Sequence, residues 1–181
     1  MTASDLTMTV SYERSRPGAA VRKFWINDRL FVTRDGVVAE AREWVGTPYR
    51  HGQALKGAGC DCIGLIGGVP VALGLPSGDA WAADPAIKGY GRDPDPRMLL
   101  PACHRHLVPT DEPGLGDILL LRWHREPHHF AIIVQADPLR IVHAYASARK
   151  VCETPVDGYW RAGVRWRDLI LSGWRYRELA D

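Results

Sequence analysis

Two cysteines one residue apart, Cys60 and Cys62 in the stretch GAGCDCIGL (57–65), are where chemistry is first suggested. Such a pair could be a metal knuckle, a disulfide, or a nucleophile beside a bystander. Cys60, Cys62, Cys103, His104 and His106 could be assembled into a zinc set on paper. Structural zinc sites favour C-x₂₋₄-C knuckles, and neither C-x-C nor C-H-x-H has that spacing. A Cys60–Cys62 disulfide would close a very tight ring with poor geometry. The nucleophile reading needs an acidified thiol, a base within reach and a third group that orients the base. Cys62 stands where a Gly-rich loop gives way to the apolar run IGLIGGVPVALGL, so a helix is expected to begin there. Unpaired N–H groups and the positive end of the helix dipole would stabilise a thiolate at that place. Cys60 lies upstream in the loop and lacks the position.

Seven histidines could supply the base. His128 and His129 open the run HHFAIIV, and His143 lies in RIVHAYA. If these runs are strands paired through a turn at 136–139, His129 and His143 meet on one sheet face as base and orienter. A strand histidine taken singly reads as a hydrogen-bonded structural residue. Two of them combined with a cysteine at a helix start reverse that balance. His124 and His128 read as loop residues.

The elements that must hold these groups follow from periodicity. DGVVAEAREWVG (35–46) repeats apolar residues at helical spacing and stops at Gly46. A loop covers 47–59, and the helix from Cys62 is broken or kinked by Pro70. Residues 76–96, rich in Pro, Gly and Asp, read as irregular surface. PRMLLPACHRHL reads as a short helix, with Pro101 against its continuity. Then DILLLRW, HFAIIVQ, RIVHAYA, KVCETPV and LILSGWRYRE are short, β-prone and separated by turn residues. Helices first and a mostly antiparallel sheet after is an α+β layout. Residues 1–35 read as an extension, in which Asn27-Asp28 between apolar runs marks either a hairpin or an extended arm docking on a partner.

Composition narrows the classes. The chain has 181 residues, a formal charge of +2 and 46% hydrophobic residues, as expected of one folded domain. Its basic residues are scattered, which argues against nucleic-acid binding. No apolar run reaches the roughly 20 residues of a membrane span. The N-terminus lacks the pattern of a secretory signal, so the expectation is cytosolic synthesis with Cys60, Cys62, Cys103 and Cys152 as thiols.

The motifs AREWVGTPYRHG and GCDCIGL, followed by PGLGDILLLRW, HHFAIIV and IVHAYA, resemble the NlpC/P60 cysteine peptidases over about residues 37–152. Within that family, GTPYRH, CDCIGL and the VHAYA signal resemble the cell-wall peptidases of phage tails and gene-transfer agents. The resemblance implies a papain-like α+β fold over 36–181, with the cysteine-bearing helix packed on the histidine-bearing sheet. It implies Cys62 as nucleophile, His129 as general base and His143 as the residue orienting it. Tyr49 matches a tyrosine near the oxyanion site. Asp61 matches an aspartate that helps bind the free amine of a peptidoglycan stem peptide, and it also suits a helix cap. No cofactor or metal is implied. Cys103 and Cys152 match nothing and read as small buried hydrophobes.

The implied reaction is cleavage of a stem-peptide amide, most often that between D-glutamate and diaminopimelate. A hydrolase without an export signal implies delivery by a phage tail or similar particle, with tail or hub proteins as partners and the cell wall or periplasm as place of action. Readings from other classes are an inactive structural tail component and a thiol amidase or acyltransferase on the same fold. The sequence departs from the family at Ile63, where a small residue is usual, at HGQ (51–53), where a double glycine is common, and at Cys60.

Overall fold

The computed structural model describes residues 10–13, 22–91, 95–161 and 163–180. Strands β1 (Val10–Glu13), β2 (Lys23–Ile26) and β3 (Arg29–Val32) form an antiparallel three-stranded sheet. The β2–β3 turn places Asn27 and Asp28 at φ 48° and 63°, the left-handed pair that matches the twist of a two-residue hairpin. Of the extension expected over 1–35, residues 1–9 and 14–21 lie outside the described residues. The hairpin is bonded to its own chain: Val32 N–H donates to the Glu178 carbonyl at 2.8 Å, and Ala180 N–H donates to the Val32 carbonyl at 3.0 Å. Val32 is fully buried in the main core.

Helix α1 (Arg34–Glu43) begins at Thr33, whose hydroxyl accepts from Gly36 N–H at 3.0 Å. After it come the short strands β4 (Ala54–Leu55) and β5 (Gly59–Cys60), then α2 (Cys62–Ala72). Pro70 sits inside α2 without ending it. The stretch expected to be irregular surface instead contains α3 (Pro76–Ala83). Pro76 opens that helix, where a missing N–H costs nothing, and Trp81 is buried beside Gly67 of α2. Helix α4 (Pro96–His106) runs through Pro101, with Leu99, Ala102 and Cys103 buried in the core. Among the described residues no helix is long and apolar enough to cross a membrane.

The remaining strands are β6 (Leu107–Thr110), β7 (Ile118–Trp123), β8 (Glu126–Ala136), β9 (Leu139–Tyr145), β10 (Lys150–Pro155), β11 (Tyr159–Arg161), β12 (Val164–Arg165) and β13 (Ile170–Tyr176). A six-stranded antiparallel sheet has the order β10-β9-β8-β7-β13-β6, while β11 and β12 form a separate ribbon. Alternation divides the large sheet into two faces. Phe130, Ile132, Val134, Val142 and Ala144 pack with Leu65, Ile66 and Val69 of α2. Leu119, Leu121, Ala131, Ile133 and Ile141 form a second core with Trp166 and Leu169. A β-bulge in the β7–β8 pairing, between Leu121 and Arg122, falls beside His129 and breaks that alternation locally.

The G-D before β7 also has a structural task. Asp117 is fully buried and accepts from Gly114 N–H at 2.9 Å, from Arg34 at 3.3 Å and from Arg175 at 3.0 and 3.1 Å. One carboxylate thereby ties α1 and β13 to the start of β7.

Candidate active site

Cys62 is the first residue of α2, and Asp61 is its N-cap. Asp61 Oδ1 accepts from Gly64 N–H at 2.9 Å, so the helix start is closed by a side chain as the sequence suggests. The other oxygen, Oδ2, accepts from Gly52 N–H at 2.6 Å and from the Tyr90 hydroxyl at 2.5 Å, with His51 Nδ1 at 3.3 Å. Asp61 is 2% exposed. His51 stands edge-on to Tyr90, with ring centroids 5.0 Å apart, and its Nε2 lies 3.1 Å from the Tyr90 carbonyl oxygen. The loop at 51–52 and the residue at 90 are thus fastened to the helix start through one carboxylate.

On the sheet side, His129 Nε2 lies 2.9 Å from His143 Nδ1. The β8–β9 hairpin puts the two rings together as the expected turn required. His143 is fully buried and stands edge-on to Trp166 at 4.5 Å, with the Tyr145 ring stacked at 5.5 Å. Its second nitrogen, Nε2, lies 3.0 Å from Thr154 Oγ1. Thr154 Oγ1 in turn lies 3.6 Å from Cys152 Sγ. The register places Cys152 directly opposite His143, so His143, Cys152 and Thr154 share a sheet face.

Both halves open onto one cleft of about 540 Å³. Tyr49, His51, Asp61, Cys62 and Tyr90 line one side; Trp123, His128, His129 and Trp160 line the other. The side chain of His129 is hydrogen-bonded to His143 and, among the described residues, not to Cys62. A thiol and an imidazole in one cleft, the imidazole backed by a second histidine, can support nucleophilic acyl chemistry.

The electrostatics correct one expectation. Cys62 was expected to be acidified by the helix start. Instead, burial and then the adjacent Asp61 carboxylate push its thiol up to about 12, against the opposing pull of the Phe130, Ile63 and Cys62 N–H groups. His129 is held well below its ordinary range by burial, then by His143 and His128. Burial lowers His143 to about 4. All three shifts run the same way: burial favours the uncharged thiol and the uncharged imidazoles over their charged forms.

Other residues fall as follows. Tyr49 pairs with Cys60 through an isolated bridge, and its ring is half-buried at the cleft. Cys60 is fully buried, and its thiol donates to the Asp61 carbonyl at 3.1 Å, so it packs the loop that presents Cys62. Burial raises its pKa. Cys103 is a buried hydrophobe as expected, whereas Cys152, expected to be the same, is only partly buried and lies 3.6 Å from Thr154 Oγ1. His128 belongs to β8 rather than a loop. His51, Tyr90 and Thr154 escaped the sequence reading. Thr154 could have been found from the register of the β9–β10 hairpin, two residues beyond the partner of His143.

No family model matches this sequence, and no curated protein matches it. Solved structures do resemble it. A protein of the NLP/P60 family described as similar to lipoprotein, from Staphylococcus aureus subsp. aureus Mu50, superposes with a TM-score of 0.51 at 18% identity, over 82% of this chain and 42% of that one. An NlpC/P60 family protein from Bacillus cereus ATCC 10987 superposes with a TM-score of 0.55 at 19% identity, over 86% of this chain and 44% of that one. The NlpC/p60 domain of the peptidoglycan hydrolase SagA gives a TM-score of 0.46 at 21% identity, over 69% of this chain and 91% of that domain. The first two likenesses establish that this chain has the α+β fold seen in NlpC/P60 family proteins. The chain spans less than half the length of each of those two proteins.

Proposed function

We propose that this protein is a peptidoglycan hydrolase of the NlpC/P60 type, a cysteine peptidase that cleaves an amide in the stem peptide. The observation that carries the reading is the His129–His143 pair at 2.9 Å, facing a cleft shared with a cysteine at a helix start. In this reading Cys62 attacks the amide carbonyl carbon as its S–H proton passes to His129. The tetrahedral oxyanion is met by the Cys62 backbone N–H, with the Tyr49 hydroxyl beside it. His129 then gives the proton to the departing amine as the C–N bond breaks, leaving a thioester. Water adds to the thioester carbonyl and loses a proton to His129. The C–S bond breaks and the sulfur takes that proton back. His143 orients His129 throughout. Hydrogen bonds between such groups tighten on substrate binding, so the lack of a direct Cys62–His129 bond is compatible with this chemistry.

The finer assignments follow the sequence resemblance. The bond is that between D-glutamate and diaminopimelate, and the carrier is a phage tail or gene-transfer-agent-like particle. Asp61 contacts the free amine of the stem peptide, which would take the place the Tyr90 hydroxyl holds on Oδ2. The test is mass spectrometry of muropeptides from purified peptidoglycan treated with the protein. Wild type should release one class of cleaved stem peptide, Cys62→Ala none, and Cys60→Ala most of the wild-type amount. Equal loss from both substitutions would overturn the nucleophile assignment, and the fragment masses identify the bond. Removing residues 1–21, which deletes β1 and leaves the β2–β3 hairpin in place, should abolish incorporation into particles but keep lytic activity; unchanged incorporation removes a docking role for residues 1–21 of the 1–35 arm.

A further inference from the structure

We infer that Thr154 is a positioning residue, whose hydroxyl ends the hydrogen-bond chain from His129 through His143 and so keeps Nδ1 of His129 free to take a proton. The inference deepens the thiol chemistry proposed above and rests on it for its catalytic consequence.

Each neutral imidazole carries one proton, so the chain can run in only two directions. In the first, His129 Nε2–H donates to His143 Nδ1 across 2.9 Å, and His143 Nε2–H donates to Thr154 Oγ1 across 3.0 Å. The Thr154 hydrogen then points toward Cys152 Sγ at 3.6 Å, and His129 Nδ1 is bare. In the second, Thr154 donates to His143 Nε2, His143 Nδ1–H donates to His129 Nε2, and the remaining proton sits on His129 Nδ1. That direction blocks the base. It also leaves the Nδ1 proton with no protein acceptor among the described residues, whereas the first direction gives each ring N–H an acceptor. Among the described residues the Thr154 hydroxyl bonds to His143 and Cys152 and to nothing else.

Replacing the hydroxyl by a methyl of the same shape tests this. In Thr154→Val the His143 Nε2–H becomes a donor without a partner in a fully buried ring. The favourable response is for His143 to carry its proton on Nδ1, which forces the His129 proton onto Nδ1. The expected loss in kcat on muropeptide substrate is on the order of tenfold to a hundredfold, with KM within about twofold, because the defect lies in proton transfer rather than binding. Thr154→Ser should restore the rate.

The direct readout is the ¹⁵N spectrum of histidine-labelled protein at neutral pH, which reports the tautomer of each ring. Wild type should show His129 and His143 both protonated at Nε2, and Thr154→Val should show both at Nδ1. A wild-type His143 protonated at Nδ1 overturns the inference without any variant. So does a Thr154→Val protein that keeps the wild-type tautomers and rate, or a Thr154→Ser protein as slow as the valine variant. The spectrum is read on the resting protein. If Cys62→Ala still hydrolysed peptidoglycan, the thiol reading would fall while the tautomer assignment stood or fell on its own measurement.

Discussion

Burying two neutral histidines side by side should make the protein acid-sensitive in a pH window where carboxylates are silent. His143 has an ordinary value of 6.5 in the unfolded chain and about 4 in the folded one, because burial disfavours its charged form. As pH falls below about 6.5 the unfolded chain takes up this proton first, so stability present at neutral pH is lost progressively until about pH 4. Between about pH 7.5 and about pH 5 the loss from His143 alone works out at roughly 2 kcal/mol, about thirtyfold in the unfolding equilibrium. His129, lowered for the same reason, acts in the same direction. Glu43, Asp84 and Glu153 are also lowered, but their unfolded values are 4.5 or below, so they contribute mainly below that window. Urea denaturation at the two pH values, with the m-value checked for constancy, reads the effect directly. In His143→Gln the drop should shrink by about 2 kcal/mol, leaving the share of His129. Wild-type stability flat to within about 0.5 kcal/mol across the window would refute the reasoning, as would a variant that loses as much as wild type.

Two further outcomes follow from the helix side of the cleft. With its thiol pushed up to about 12, Cys62 should be alkylated by iodoacetamide at a rate rising about tenfold per pH unit from neutral to about pH 10; peptide mapping isolates the site, and pH-independent labelling between about pH 5 and about pH 8 would mean a resting ion pair instead. Gly64→Ala would put a Cβ 2.0 Å from the Gln53 carbonyl oxygen, against backbone that cannot swing away, in the turn whose N–H is held by Asp61. It should cost about 1–3 kcal/mol in urea unfolding and, on the proposed function, depress hydrolysis, and wild-type stability would show that the loop at 53 yields freely.

The parts of this site that could be read from the sequence are those set by local period. Cys62 at a helix start follows from a Gly-rich loop meeting an apolar run, and the His129–His143 encounter follows from two strands and a short turn between them. Tyr90 could not be found this way. It lies beyond α3, in a stretch whose Pro, Gly and Asp content suggests loop, and only the burial of Trp81 and Ile87 makes that stretch part of the core. Its bond to Asp61 spans 29 residues, and no local pattern encodes it. The upward shift of the Cys62 thiol is hidden from the sequence for a related reason. The helix dipole is visible in the sequence, while the desolvation that outweighs it comes from the sheet packed over the sulfur. Periodicity reveals which residues meet, but not how dry their meeting place is.

The dryness bears on how the two halves of the cleft work together. Among the described residues Asp61 is the one carboxylate next to the sulfur, and the close contacts of its side chain there are Gly64, Gly52, Tyr90 and His51, all on the helix side. The imidazole pair is closed off in the other direction, through Thr154 and Cys152. Neither half lends the other a compensating charge. A thiolate beside a buried carboxylate, or an imidazolium beside a second buried imidazole, would each be formed at a cost. In the proposed thiol chemistry, proton transfer from Cys62 to His129 would therefore be favourable only when something removes the charge on sulfur as it develops. An amide carbonyl under attack does so, because the new C–S bond consumes the sulfur lone pair and moves the negative charge to an oxygen at the helix start. If that chemistry holds, the reactive state is generated by the substrate rather than held in waiting, and a thiol whose charged form burial disfavours should react slowly with oxidants until a carbonyl occupies the cleft.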